Sequence, residues 1–284
     1  MKSILVVFLL SLSNIFADEV INIDSVYKEG IEIYRNARAS WLGNELLITL
    51  LQKNGKDKSL AGYFAYPKDE GNHFVFYDTN SRIIAEAFFD STFKTPKNSI
   101  SFEERDFNEV ELNYFKIKSA VKEFQKTDTS IKYYENTGLN QIPIIYQGKI
   151  KCYLLTAPIY LGEVIYGNDY CIDFDKNYNV SKITDIHKTI ISIPFVKDST
   201  KSKSYHTHTE EVGYLPSTTD IATTFLYGEM ANWSEHYIQS SELLTKLIIK
   251  DQKMHITKIP KQNNQQNPEK IIDNNSEVPD KKQE

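Results

Sequence analysis

Three short runs of β-type residues stand next to one another with only polar turns between them: AGYFAYP at 61–67, HFVFYDT at 73–79 and RIIAEAFFD at 82–90. Connections this short cannot return a strand to a parallel partner, so the runs read as an antiparallel meander. The same pattern resumes from Ile142 in IPIIYQGKIKCYLLTA, GEVIYGN and DYCIDFDKNYNV, with DKNYN as a hairpin turn. Two helical stretches accompany the strands. Residues 24–51 place Val26, Ile31, Ile33, Tyr34, Leu46 and Leu47 at helical spacing, with Gly43 as an interruption. ERDFNEVELNYFKIKSAVKEFQ is amphipathic, capped by Asp106 or Asn108, with Val110, Leu112, Phe115, Ile117, Val121 and Phe124 on its apolar face. ITDIHKTIISIP fits a short helix or a strand. The fold class expected is α/β in the broad sense (α+β): mainly antiparallel sheet with packed helices.

The first residues, MKSILVVFLLSLSNIFADEV, set Lys2 before an apolar run and a small residue, Ala17, before Asp18-Glu19. This layout predicts a secretory signal peptide over 1–17, and the run is too short for a stable bilayer anchor. No other stretch reaches spanning length, so the expectation is an exported protein, periplasmic or secreted, without a stable membrane span after signal removal. The polar stretch around 130–142 divides an N-terminal α+β region (18–135) from a second domain (136–259). Residues 260–284, rich in Asn, Gln, Lys and Pro, read as a disordered tail. A net charge of −5 without any Lys/Arg cluster interleaved with aromatics argues against nucleic acid as a partner. Two cysteines, Cys152 and Cys171, fall on neighbouring strand-like segments and fit either a disulfide or two buried thiols.

The most specific chemistry lies in SYHTHTEEVGYLPSTTDIATTF, residues 204–225. SKSYHTH reads as a strand, so His206 and His208 share one face while Thr207 points away. Pro216-Ser217 starts a helix continuing through DIATTFLYGEM, with Ser217 at the cap and Asp220 in the first turn. EHYIQS and LLTKLIIKD then form a closing hairpin. Two imidazoles and a carboxylate make a three-ligand set that leaves a fourth position open for water, the catalytic rather than the structural pattern for zinc.

This arrangement, His206-Thr207-His208 followed by Pro216-Ser217-x-x-Asp220, resembles the zinc signature of the JAMM (JAB1/MPN) metallopeptidases. The resemblance implies a JAMM/cytidine-deaminase-like C-terminal domain, with zinc on His206, His208 and Asp220 and with Ser217 stabilising an oxyanion. It also implies a peptide or isopeptide bond as substrate, and the expected export would place that substrate in the cell envelope or outside the cell. Thr209 stands where that family commonly has Pro. The family further needs an upstream glutamate as general base, for which Glu163 in YLGEVIYGNDY is the candidate, with Asp169 and Glu45 behind it. The competing reading is a secreted or periplasmic binding or structural protein without catalysis.

His187 and His236 are candidates for alternative or supporting ligands; Glu210 and Glu211 face solvent or line a cleft; His73 and His255 have no partner nearby in sequence. DFDKNYN lacks the central Gly and distal Glu of a helix-loop-helix calcium site, which leaves it a hairpin turn.

Overall fold

The computed structural model describes residues 3–54, 60–93, 100–196 and 200–260, and within the first helix the side chains from Ile23 to Thr49. The side chains of the expected signal segment and residues 261–284 of the expected tail lie outside the described residues. The fold is α+β, and the described residues form three four-stranded sheets around three helices. No helix among the described residues is long and apolar enough to cross a membrane.

Helix α1 (Ser3–Asn54) is continuous through Gly43, the expected interruption. A Cβ there would sit 2.4 Å from the Phe74 ring, so the glycine serves close packing rather than a break. The meander β1 (Leu60–Lys68), β2 (Gly71–Asp78) and β3 (Ile83–Asp90) forms as expected and adds a two-residue β4 (Ile100–Ser101). Strand β2 is buried on both faces, with Phe74 and Phe76 against α1 and Val75 and Tyr77 against the next helix.

That helix, α2 (Glu109–Thr127), is capped by Asn108, which accepts from Glu111 N while the Glu111 carboxylate accepts from Asn108 N. Its buried face matches the expected one at Ile117 and Val121 but not in the first turn. Val110 and Leu112 are 49% and 38% exposed, whereas Glu111, Tyr114, Ile117 and Val121 are buried. The reason is local: Glu111 is drawn inward by the Arg105 guanidinium and the Tyr66 hydroxyl, at 2.7–2.9 Å.

The second sheet runs β5 (Thr137–Tyr146), β6 (Lys149–Pro158), β7 (Glu163–Phe174) and β8 (Val180–Pro194), all antiparallel. The ambiguous ITDIHKTIISIP segment is therefore strand. The turn between β7 and β8 is closed by Asp175, whose carboxylate accepts from Asn177 N and Asn179 N. Cys152 and Cys171 face Ile172 and Tyr153 across β6 and β7, so successive register positions send them to opposite faces, and both are free buried thiols.

The third sheet begins with β9 (Ser202–Thr207), which pairs in parallel with β10 (Trp233–Gln239), and continues antiparallel through β11 (Leu243–Ile248) and β12 (Lys253–Lys258). Parallel pairing needs a crossover, supplied by α3 (Thr218–Tyr227). The largest hydrophobic cluster joins Ile33, Phe74, Ile142, Tyr153, Phe225 and Trp233, so residues on both sides of position 135 share one core.

Helices α1 and α3 cross where α1 has Gly30. A Cβ at Gly30 would lie 2.8 Å from Ile221 Cβ and 3.0 Å from Thr218 O. Ile221 is β-branched and fully buried, so it has no room to give. Gly30→Ala is expected to push α3 off α1 at a cost of about 1–3 kcal/mol. Urea unfolding would show this as a lower midpoint at unchanged slope.

Candidate metal centre

Strand β9 and its continuation alternate as a half-buried strand should. Ser204, His206 and His208 are buried, while Tyr205 and Thr207 face out. His206 and His208 thus point inward together. Across from them, Ser217 caps α3 and Asp220 occupies its third position. Ser217 Oγ accepts from Asp220 N at 2.9 Å, and Asp220 Oδ2 accepts from Ser217 N at 2.8 Å. The Ser217 hydroxyl also stands 2.7 Å from Asp220 Oδ2. The cap therefore fixes the carboxylate at the helix N-terminus, where the backbone dipole favours negative charge.

The third approach comes from the second sheet. The β7–β8 ladder is interrupted between Gly167 and Asp169, with Gly167 and Asn168 at positive φ, and it resumes with Asp169 opposite His187. Such a bulge re-aims the side chains beside it. His187 Nδ1 lies 2.8 and 3.1 Å from the Asp169 carboxylate oxygens, and His187 Nε2 points at Asp220.

All three histidines are arranged alike around Asp220. Their Nε2 atoms stand 3.7 Å (His187) and 3.1 Å (His208) from Oδ2, and 3.5 Å (His206) from Oδ1. Each Nδ1 is engaged on the far side: His187 with Asp169, His208 with the Leu215 carbonyl at 3.1 Å, and His206 with His236 Nε2 at 2.9 Å. His236 in turn meets Ser204 Oγ at 2.7 Å and is stacked between Tyr166 and Trp233. Holding Nδ1 in this way orients an imidazole and leaves Nε2 as the donor atom, the usual support of a metal-binding histidine.

Two of those donor atoms, His187 Nε2 and His208 Nε2, are buried without any hydrogen-bond partner. Buried polar atoms are rarely left so, because an unmade hydrogen bond costs about 1–3 kcal/mol each. His187, His208 and Asp220 offer ligand atoms all within 4.8 Å of one another, a grouping that can hold a metal ion.

The charges are strongly biased. Burial disfavours the Asp220 carboxylate, but His187, His206 and His208 outweigh it and hold the group well below the usual carboxylate range. Burial likewise pulls His187 down, yet Asp220 and Asp169 push its pKa up to about 9. His236 is held well below the ordinary histidine value by burial and by His206, which keeps it neutral. Without a metal, an imidazolium at His187 balances the carboxylates; a cation in its place would release that proton.

Of the residues singled out in the sequence, His206, His208, Asp220 and Ser217 come together, joined by His187, Asp169 and His236. Glu163 does not join them. It lies at the start of β7, six positions from Asp169 and so roughly 20 Å along the strand, where it accepts a hydrogen bond from Ser192. Glu45 is exposed on α1 and accepts from Trp41 Nε1. Glu210 and Glu211 are exposed on the loop after His208, and His255 is exposed on β12. His73 belongs to a second group with Glu86 and Glu111. There the Arg105 guanidinium already bridges both carboxylates and supplies the positive charge. His187, a candidate supporting ligand in the sequence, has no motif around it, and the register of β8 against β7 brings it to the site.

No family model, curated protein or solved structure matches the chain.

Proposed function

We propose that the protein is an exported zinc-dependent hydrolase acting on a peptide or isopeptide bond, with zinc held by His187, His208 and Asp220. The observation that carries the metal is the pair of buried, partnerless Nε2 atoms converging on one carboxylate. Their 3.1–3.7 Å separations from Oδ2 are near the roughly 3.3 Å edge of a tetrahedron with zinc–ligand bonds of about 2.0 Å. Nitrogen-plus-carboxylate donors suit zinc among the common divalent ions. The hydrolytic part of the reading, and the substrate class, rest on the resemblance of His206-x-His208…Pro216-Ser217-x-x-Asp220 to the JAMM signature. Export rests on the N-terminal apolar segment.

A zinc ion supplies a water of near-neutral pKa and polarises a carbonyl. The residues do the rest. Asp169 and the Leu215 carbonyl fix the tautomers of His187 and His208. Ser217 holds Asp220, and its hydroxyl is committed to that carboxylate. With Glu163 remote, we assign the general-base role to His206, whose Nε2 stands 3.5 Å from Asp220 Oδ1. Its Nδ1 lies 2.9 Å from His236 Nε2, which orients the ring with Nε2 toward Asp220 Oδ1.

A second reading, a non-catalytic protein with a structural zinc, is favoured by the burial of the ligand nitrogens; here His206 Nε2 closes the fourth position. The experiment that separates them is zinc content by elemental mass spectrometry, with hydrolysis of fluorogenic peptide and isopeptide substrates, for the wild type and His206→Ala. The hydrolase reading expects about one zinc per chain in both proteins and chelator-sensitive activity in the wild type only. Zinc lost from His206→Ala and no hydrolysis by either would establish the structural site. No zinc in the wild type after dialysis against it would end both.

A further inference from the structure

A cavity of about 620 Å³ opens between α1, β1, α2, β5 and the end of α3, at the opposite end of α3 from Asp220. That is within the range of small-molecule sites. We propose that it binds a small organic anion with a flat, apolar body.

The walls are aromatic. Trp41, Tyr63, Tyr77 and Tyr227 line the cavity, and Trp41 and Tyr227 stand with ring centroids 5.6 Å apart. The Trp41 indole N–H is already given to Glu45, so this residue offers its ring rather than a donor. Its positive charges come from α2. Lys118 and Lys122 are four positions apart and therefore on one helix face, and both line the cavity, whereas among the described residues no Asp or Glu does. Two like charges converge there, and no carboxylate among the described lining residues offsets them.

Lys118 is the better placed of the two. It is half-buried, its ammonium lies 5.8 Å from the Tyr63 ring centroid, and its hydrogen bond is to the Gln141 carbonyl at 3.4 Å. An ammonium carries three donors, so this one long bond leaves capacity directed at the cavity. Among the described residues no carboxylate is within ion-pair distance of it. Burial lowers its pKa, a cost that a bound anion offsets. Lys122 is exposed at the rim, where it adds attraction with less desolvation. An inorganic ion would use the lysines and leave the aromatic walls wet; a neutral aromatic would leave Lys118 unpaired. A ligand with both features satisfies both.

The probe is 8-anilinonaphthalene-1-sulfonate, an aromatic sulfonate, titrated into the full chain beside its neutral analogue N-phenyl-1-naphthylamine. One saturable sulfonate site is expected. Its Kd should rise at least tenfold in Lys118→Met and several-fold in Lys122→Gln, while the neutral compound binds all three proteins within twofold. Trp41→Phe should weaken both compounds. Should Lys118→Met fail to fold, the exposed Lys122→Gln together with Trp41→Phe decides the matter. The proposal is overturned if the wild type shows no saturable site, if the lysine substitutions leave the sulfonate Kd unchanged, or if the two compounds bind alike.

Discussion

At the proposed zinc site, Asp220→Asn is expected to weaken binding by more than about 100-fold and to remove the stabilisation the metal would give. Asp220 is the one residue that every histidine of the centre approaches, with Oδ2 serving His187 and His208 and Oδ1 serving His206. An amide matches its shape but carries no charge, so it neither binds a divalent cation well nor offsets the imidazolium at His187. Loss of an outer partner of a metal ligand typically costs 10–100-fold in affinity, and loss of the charged ligand itself should exceed about 100-fold. The stability readout follows by mass action. Free zinc at about 1,000 times its Kd should add about 4 kcal/mol to the wild type and nothing to the variant. Competition with a chromophoric chelator gives the affinity, and thermal melts with and without zinc give the stability. A variant whose melting temperature rises with zinc as the wild type's does would remove Asp220 from the site.

Glu111→Ala should be the most destabilising change away from the centre, at about 3–5 kcal/mol, the range for one partner removed from a buried ion pair. The carboxylate is fully buried. It accepts two bonds from Arg105 at 2.7 and 2.8 Å, one from the Tyr66 hydroxyl at 2.9 Å and one from Asn108 N at 2.9 Å. Truncation leaves Arg105 with Glu86 as its remaining carboxylate partner, leaves the Tyr66 hydroxyl with one fewer partner and removes half of the α2 capping box. Burial on its own would raise the Glu111 pKa, but Arg105, Asn108 and Tyr66 together bring it below the ordinary value. A carboxyl group depressed on folding stabilises above its unfolded pKa of about 4.3, and that stability drains away as pH falls through the folded value. Glu111→Gln should accordingly cost stability at pH 7 and show a shallower loss than the wild type below about pH 4. Urea unfolding at both pH values tests this; equal pH slopes would show that Glu111 titrates normally.

Sequence by itself determined the local elements and half of the centre. Short polar turns forced the β1–β3 meander into antiparallel order. Alternation along SKSYHTH put His206 and His208 on one buried face, and the Ser-x-x-Asp spacing fixed Asp220 in the first turn of α3. These are decisions of period and capping, made within a few residues. What lay between distant segments was not legible. Helical periodicity favoured Val110 and Leu112 as buried, and Glu111 went inward because Arg105 and Tyr66 were waiting there. The sequence ranked Glu163 first as the base, ahead of Asp169 and Glu45, and its strand position is right in kind but remote in space. His187, Asp169 and His236 were named only as lesser candidates, and their places at the site came from the bulge in β7, the register of β8 and the parallel pairing of β9 with β10. The physical reason is that a side chain's direction follows from its own backbone. Its neighbours follow from how sheets and helices close over a shared core, and no short-range pattern encodes that closure.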